Sequence, residues 1–350
     1  MKSYVVTGGA GFIGSALCYL LLSDTDAEVV VIDRMTYAAN PVTLDRLKAH
    51  KGFRHVQADI CDTAKMAEII RLVQPDVVFH LAAETHVDRS IDGPAAFVTT
   101  NVVGTYSMLE ASRDYWSVLD AEAADKFRFI HISTDEVFGS LGPEGYFNET
   151  TRYDPSSPYS ASKAGSDHLA RSWYRTYGMP VVISNCSNNY GPRQFPEKLI
   201  PLMILNALEE KPLPVYGTGT NVRDWLHVED HARALRLMAE RGVPGEVYCV
   251  GGGAERTNLE IVHEICRVLD ARRPRNTPYK DLVEFVTDRP GHDFRYAIDA
   301  SKINGQLNWS PAHDFTAGLE ETIDWYLANE NWWRPLREKQ YRGERLGTRV

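Results

Sequence analysis

What this chain lacks narrows it first. Its five cysteines, at 18, 61, 186, 249 and 266, form no CxxC pair, which excludes a thiolate metal ribbon or a dithiol redox motif. Scattered cysteines of this kind suit reduced, mostly buried thiols in a cytoplasm. No apolar run approaches the ~18 residues of a membrane span. The first residues, Met1-Lys2-Ser3-Tyr4-Val5-Val6, enter a strand-like segment without the shape of a signal peptide. Excess positive charge is missing too. A formal net charge of -9 argues against a nucleic-acid backbone as partner, yet leaves room for a small anion held by a few arginines. The histidines at 80, 86, 131, 168, 227 and 231 include no HExxH or comparable set, so no metal is expected. Internal repeats and low-complexity segments are absent as well.

What is present is ordinary globular composition, 43% hydrophobic and 24% charged over 350 residues, enough for one large α/β domain or two smaller ones. Apolar, β-rich runs at 4–7, 28–33, 54–59, 76–82, 128–133 and 180–185 read as strands. Between them, 12–23, 62–73, 94–116 and 158–177 read as helices. Near-continuous apolar strands alternating with helices predict a doubly wound parallel sheet of Rossmann type, with its site outside the carboxyl ends of the strands. After Gly191 the texture changes to prolines, a helix expected over 196–211 and mixed short elements. Residues 1–190 are therefore expected to form the dinucleotide domain. A helix over 224–241 and a strand over 246–250 are expected to return to it, and most of 191–350 to form a smaller discontinuous lobe.

The stretch VVTGGAGFIGS places Gly8, Gly11 and Gly14 between the first strand and the first helix, with Phe12 and Ile13 opening that helix. Glycines there permit a tight turn, close approach of a pyrophosphate and close helix packing, and the helix N-terminus favours the anion. Asp33 ends the second strand about 20 residues on, where a carboxylate bonds ribose hydroxyls and repels a 2′-phosphate. NAD is thus expected over NADP, although Arg34 beside Asp33 could accept that phosphate. Arg34, Met35 and Thr36, then Asp59 and Ile60, and Leu81, Ala82 and Ala83 at later strand ends, complete the expected cofactor wall.

Two further patterns carry chemistry. HISTDEVFG sets Asp135 and Glu136 where the fifth strand leaves the core. Ser133-x-x-Glu136 fits a capping box, but the glycines and proline at 139–143 deny a continuing helix, so a loop bearing two acids is expected. SPYSASKAGSDHL then places Tyr159 and Lys163 four apart, on one face of a helix. A tyrosinate base at neutral pH needs its pKa lowered by about 3 units, worth roughly 4 kcal/mol. A neighbouring ammonium and a cationic nicotinamide could supply that. An exposed i,i+4 pair is the plain alternative.

Together, the glycine loop, the Ser/Thr after the fifth strand and the YxxxK pair resemble the extended short-chain dehydrogenase/reductase superfamily. Within it, STDEV, HLAAETHVDRSI, CSNNYGP, FPEKLIP, RDWLHVEDHARAL and DRPGHD closely resemble the dTDP-glucose 4,6-dehydratase family, from the glycine loop to about Leu327. Thr85 stands where members commonly have serine, and the segment 139–153 looks shorter than in some relatives. The resemblance implies that NAD takes a hydride from C4 of the glucose while Tyr159 takes the hydroxyl proton. Glu136 then removes the C5 hydrogen, Asp135 protonates the departing C6 hydroxyl, and the hydride returns to C6. Thr134 would bond the C4 oxygen, and Lys163 would hold the nicotinamide ribose and tune Tyr159. Thr100 and Asn189 correspond to cofactor contacts. Thr85, Asn188, Glu197, Lys198, Leu199, Pro214, Val215, Tyr216, Arg223, Asn258, Arg289, His292 and Tyr296 match substrate contacts, with Arg223 and Arg289 suited to a diphosphate. The resemblance further implies a homodimer through the helices at 94–116 and 158–177, and a product feeding 6-deoxysugars such as rhamnose.

Other readings stay open at this point. A nucleotide-sugar 4-epimerase uses Tyr159 and the cofactor but has no use for Asp135 and Glu136. A dinucleotide-sensing binding protein would need none of Thr134, Tyr159 and Lys163 intact.

Overall fold

The computed structural model describes residues 2–24 and 26–347. In chain order the strands are β1 (Ser3–Thr7), β2 (Glu28–Asp33), β3 (Phe53–Gln57), β4 (Val77–His80), β5 (Arg128–Thr134), β6 (Val181–Cys186), β7 (Asn188–Tyr190), β8 (Leu213–Tyr216), β9 (Val222–His227), β10 (Val247–Val250), β11 (Glu255–Thr257) and β12 (Val283–Val286). Seven of them form one sheet, ordered β10-β6-β5-β4-β1-β2-β3, with every pairing parallel. Parallel strands need crossovers, and helices supply them on both faces.

The side-chain period of two explains the continuous apolar strands. Val5, Val30, Ile32, Val78 and Phe129 face one helical layer, where they pack with Met66, Ile69 and Met108. Their neighbours Val6, Val29, Val31, Phe79 and Ile130 face the other, against Leu17, Leu21, Leu235 and Met238. The strand over 247–250 pairs with β6, so the chain returns to the main sheet after leaving it. A second core gathers Met203, Ile204, Ile261, Ile265, Ile323 and Trp332, beside the small sheets β11-β9-β7 and β12-β8.

Three expectations are corrected here. Residues 94–116 are not one α-helix: Pro94–Phe97 and Gly104–Trp116 flank a π-helical turn, Val98–Val103. The helix expected over 196–211 is confined to Leu199–Leu208. The helix expected from residue 224 starts at Val228, because Val222–His227 is a strand between β7 and β11 and His227 caps the helix that follows. Val222-Arg223-Asp224-Trp225-Leu226-His227 shows no strict alternation of apolar and polar residues, and the helical run behind it dominated the pattern.

Phe129, fully buried in the central strand β5, is a sensitive probe of this packing. Phe129→Ala is expected to cost about 3–5 kcal/mol, measured as a lowered urea midpoint; an unchanged midpoint would show that this layer does not carry the fold.

Candidate active site

Parallel pairing brings Thr7, Asp33, His80, Thr134 and Cys186, each the last residue of its strand, to one edge of the sheet. Gly8 follows Thr7 with a left-handed φ of 71°, and a Cβ there would lie 2.8 Å from the Ala82 backbone. A Cβ on Gly14 would strike the Gly8 carbonyl, so the helix packs hard against the turn. A Cβ on Gly11 would meet nothing but that same carbonyl, at 3.2 Å, leaving an open cradle at the helix N-terminus. This is the space and polarity an NAD pyrophosphate requires.

Asp33 is held for a ribose. Its Oδ2 accepts from the Ala10 amide at 3.0 Å and its Oδ1 from the Met35 amide at 2.8 Å. Burial raises its pKa, and these two amide bonds oppose the rise. Met35 supports this carboxylate: its left-handed backbone (φ 60°) accompanies the bond from its N–H to Asp33. Arg34 pairs with Asp59 at 3.0 Å, so a carboxylate already claims the charge that would attract a 2′-phosphate.

One continuous cleft runs from Gly8, Gly11, Phe12, Ile13 and Gly14 past Asp33, Arg34, Thr36, Asp59, Ile60 and the 81–85 segment. It continues through Thr100 to Thr134, Asp135, Glu136, Tyr159 and Lys163, and ends among Asn188, Asn189, Glu197 and Lys198. The Oδ1 of Asn188 and the Oδ2 of Asp135 are buried on this lining without a hydrogen-bond partner, acceptors that a ligand could satisfy. Thr100 sits in the π-helical turn, a distortion frequent at functional sites. The next residue, Asn101, clamps Glu84 through both backbone atoms at 2.8 and 2.9 Å and reaches Ser162 at 2.8 Å. Neither Asn101 nor the cleft-lining Gln194 carried a signal in the sequence, and Phe195, which opens FPEKLIP, was given no role.

The two acids occupy a single 3-10 turn, Asp135–Phe138, where a loop was expected. Thr134 rather than Ser133 caps it, its hydroxyl oxygen accepting from the Glu136 amide at 3.3 Å and the hydroxyl itself donating to Asp135 at 3.2 Å. Gly139, at φ 84°, ends the turn. The acids titrate apart. Burial pushes Asp135 well above the usual carboxylate range, and the like charges of Glu136 and Asp224 add to the push. Burial also raises Glu136, but Arg289, Lys198 and Arg223 pull it back. Asp135 is thereby pushed further towards its protonated form than Glu136.

The Lys163 Nζ donates to the Ile132 carbonyl at 2.7 Å, and its own pKa is lowered by burial. Burial and the charge of Glu136 hold the Tyr159 hydroxyl well above its usual value, with a bond to Thr134 opposing.

The remaining expected substrate positions lie outside the cleft lining. Arg289 and Tyr216 both hold Asp88, at 3.3 and 3.0 Å. Arg223 donates to the carbonyls of Val222 and Asp293 and lies 4.2 Å over the Tyr296 ring. His292 bonds Asp288 at 2.6 Å, Leu199 opens a helix, and the Asn258 amide donates to Asn221. On the lining itself, Lys198 donates to the Thr85 carbonyl at 2.8 Å. Glu197 is already bound by Arg89 at 2.7 Å and Tyr37 at 3.1 Å. Val215 is corrected: in β8 it alternates with Pro214 and Tyr216, and its side chain is buried in the second core, leaving only its backbone for a ligand.

Away from this cleft, His227, Glu229 and His313 bring ligand atoms within 4.8 Å of one another. The two imidazoles stack at 3.9 Å and 27°, so their in-plane lone pairs run side by side instead of converging. His313 is 86 residues from His227, which is why no spacing motif announced the pair.

The family model described as GDP-mannose 4,6 dehydratase matches residues 5–322. A probable dTDP-glucose 4,6-dehydratase of Sinorhizobium fredii is 58% identical over 98% of both chains. A dTDP-glucose 4,6-dehydratase of Neisseria meningitidis is 53% identical over 99% of both. Among solved structures, the dTDP-glucose 4,6-dehydratase of Bacillus anthracis, in complex with NAD, superposes with TM-score 0.86 at 42% identity, covering 96% of this chain and 100% of that one. The UDP-glucose 4-epimerase of Thermotoga maritima superposes with TM-score 0.82 at 27% identity, covering 93% and 99%.

A carboxyl whose folded pKa is raised stabilises the fold below its unfolded pKa and loses that contribution as pH climbs through the folded value. Asp135→Asn does not titrate. Its thermal midpoint in the ligand-free protein is therefore expected to gain on the wild type progressively as pH rises from the ordinary aspartate value of 3.8 towards neutrality. A midpoint difference that stays constant with pH would contradict the raised pKa.

Proposed function

From the premise that the chain belongs to the dTDP-glucose 4,6-dehydratase family, we infer that it removes water from dTDP-glucose to give the 4-keto-6-deoxy sugar, with NAD as a regenerated cofactor. The observation that carries this reading is the pair Asp135 and Glu136, held in one cleft with Tyr159 and raised in pKa to different extents. An epimerase shares the scaffold but has no step for a second acid and base. A binding protein has no use for either.

NAD, held by Gly8, Gly11, Gly14 and Asp33, would supply a positively charged ring and a two-electron store, taking the pair from C4 and giving it back at C6. The chain's own residues do the rest. Tyr159 takes the C4 hydroxyl proton, and the Thr134 hydroxyl bonds the C4 oxygen as it becomes a carbonyl. That ketone acidifies C5–H, whose proton passes to Glu136. Asp135, protonated by its surroundings, gives its proton to the C6 hydroxyl, which departs as water. Glu136 then returns a proton to C5 as C6 is reduced. Asp33 with Gly8, Gly11 and Gly14 holds the adenosine end. Lys198, Arg223 and Arg289, whose charges bear on Glu136, are suited to the nucleotide diphosphate. In this division of labour residues 1–190 and the return through 224–250 carry the cofactor, and most of 191–350 carries the nucleotide sugar.

Finer assignments belong to the same reading. Val98, Val103 and Tyr106 on the 94–116 run are exposed, as are Tyr174 and Tyr177 on the neighbouring helix Pro158–Tyr177. Apolar and aromatic exposure on two packed helices supports a homodimer through this face. Five unpaired cysteines suit a reducing cytoplasm, and among the described residues no helix is long and apolar enough to cross a membrane. The product is of the kind that feeds 6-deoxysugars such as rhamnose.

The direct test is to incubate the protein with NAD and dTDP-glucose and look for a sugar lighter by one water, without net consumption of NAD. In heavy water, Glu136→Gln is expected to lose C5 hydrogen exchange and Asp135→Asn to retain part of it. Both should lose dehydration by a factor of about 10² to 10⁴. Mass spectrometry of recovered sugar reads both quantities, and normal exchange in Glu136→Gln would refute the acid and base assignment.

Replacing Val103 and Tyr106 together by glutamate is expected to convert a dimer into monomers in sedimentation analysis. A wild-type protein that already sediments as a monomer would remove the interface from this reading.

A further inference from the structure

Beneath the catalytic helix lies an ion that the mechanism above does not use. Asp167 is completely buried, one turn beyond Lys163 on the helix Pro158–Tyr177, and it does not line the cleft. A buried carboxylate persists only when it is paired and hydrogen-bonded, and this one is surrounded by donors. Its Oδ1 meets His131 Nε2 at 3.0 Å. Its Oδ2 accepts from the hydroxyls of Ser133 at 2.8 Å and Tyr153 at 2.9 Å, and from the Asn185 amide at 3.3 Å.

These partners converge on the reacting groups. Ser133 directly precedes Thr134, and the same Asn185 amide donates to the Thr134 carbonyl at 3.1 Å, so the end of β5 is tied to Asp167 twice. Lys163 is buried as well and makes its hydrogen bond to a neutral carbonyl, that of Ile132. Its ammonium therefore needs an anion nearby. Asp167 lies four residues on along the same helix, so the two buried side chains share one helical face. The other titratable groups that bear on Lys163 are His80 of β4, His131 of β5 and Cys186 of β6. Of these, both imidazoles are kept neutral by burial and the Cys186 thiol is pushed up to about 12, which leaves Asp167 as the one ionised partner.

We propose that Asp167 is a positioning residue for the reaction: an internal counter-ion that keeps Lys163 protonated in its dry site and, through Ser133 and Asn185, fixes Thr134 against the substrate carbonyl. It touches neither substrate nor cofactor. The proposal rests on the reading of Lys163 and Tyr159 as the oxidation site.

The test compares Asp167→Asn with the wild type as the full chain with NAD. Without the anion, Lys163 loses its proton at lower pH. The ratio of variant to wild-type kcat on dTDP-glucose is therefore expected to fall several-fold, towards a limit of about tenfold, between pH 6.5 and 9, the change that roughly one unit of pKa can produce. KM should stay within a few-fold, because Asp167 is outside the cleft. A ratio that does not change with pH would overturn the proposal, since a merely structural defect lowers kcat equally throughout. If Asp167→Asn fails to fold, Lys163→Met decides. Alone it strands the carboxylate and should lower the thermal midpoint, and adding Asp167→Asn should restore part of the loss, whereas additive losses would overturn the pairing. Absence of turnover by the wild type would instead defeat the functional reading, and the midpoint comparison would still test the ion pair.

Discussion

The constraint on which the site depends is the parallel pairing of β5 with β4 and β6. Parallel strands end together, so residues from distant parts of the chain arrive at one edge without any loop having to be long. The same arrangement buries both faces of the sheet, and the groups at its edge are therefore placed where water is scarce. Every titration shift in the site begins with that loss of hydration.

Three carboxylates near the end of β5 show how partners then divide what burial has made uniform. Asp167 has a complete shell of donors, and its pKa is lowered. Glu136 has three cations at a distance and is raised only in part, while Asp135 has two like charges and is raised far more. One base, one acid and one permanent anion thus arise from identical chemistry in different company. In the proposed elimination all three have a place, because a proton moves in each direction while the lysine beside the cleft keeps its own.

The second lobe obeys the same economy of charge. Arg289 is paired with Asp88, and Arg89 with Glu197, whereas the buried Arg223 donates to backbone carbonyls, among them those of Val222 and Asp293. Breaking a buried pair without replacing the partner is costly. A diphosphate at Arg289 would compete with Asp88 for its guanidinium. This ties binding of the nucleotide end to the geometry of residues 84–92, which also carry Thr85 to the cleft.

Much of this was legible beforehand. The strand and helix alternation, the glycine cradle, Asp33, the acidic pair and Tyr159 with Lys163 are local patterns, and the forces behind them act between residues close in sequence: side-chain period, turn geometry and helical spacing. Even the differing acids could be anticipated as a chemical need. What only tertiary structure decided was which groups meet. Asp167 sits in plain view four residues after Lys163, but its value depends on Ser133, Tyr153 and Asn185 arriving from three other segments. Val215 and Tyr216 are neighbours in sequence, and the packing of β8 alone sends one into the core and the other to Asp88. The state of Tyr159 is the sharpest case: burial and the charge of Glu136 raise its pKa, and neither can be read from its spacing to Lys163. Protonation is a property of the three-dimensional distribution of charge and water, and a sequence records neither.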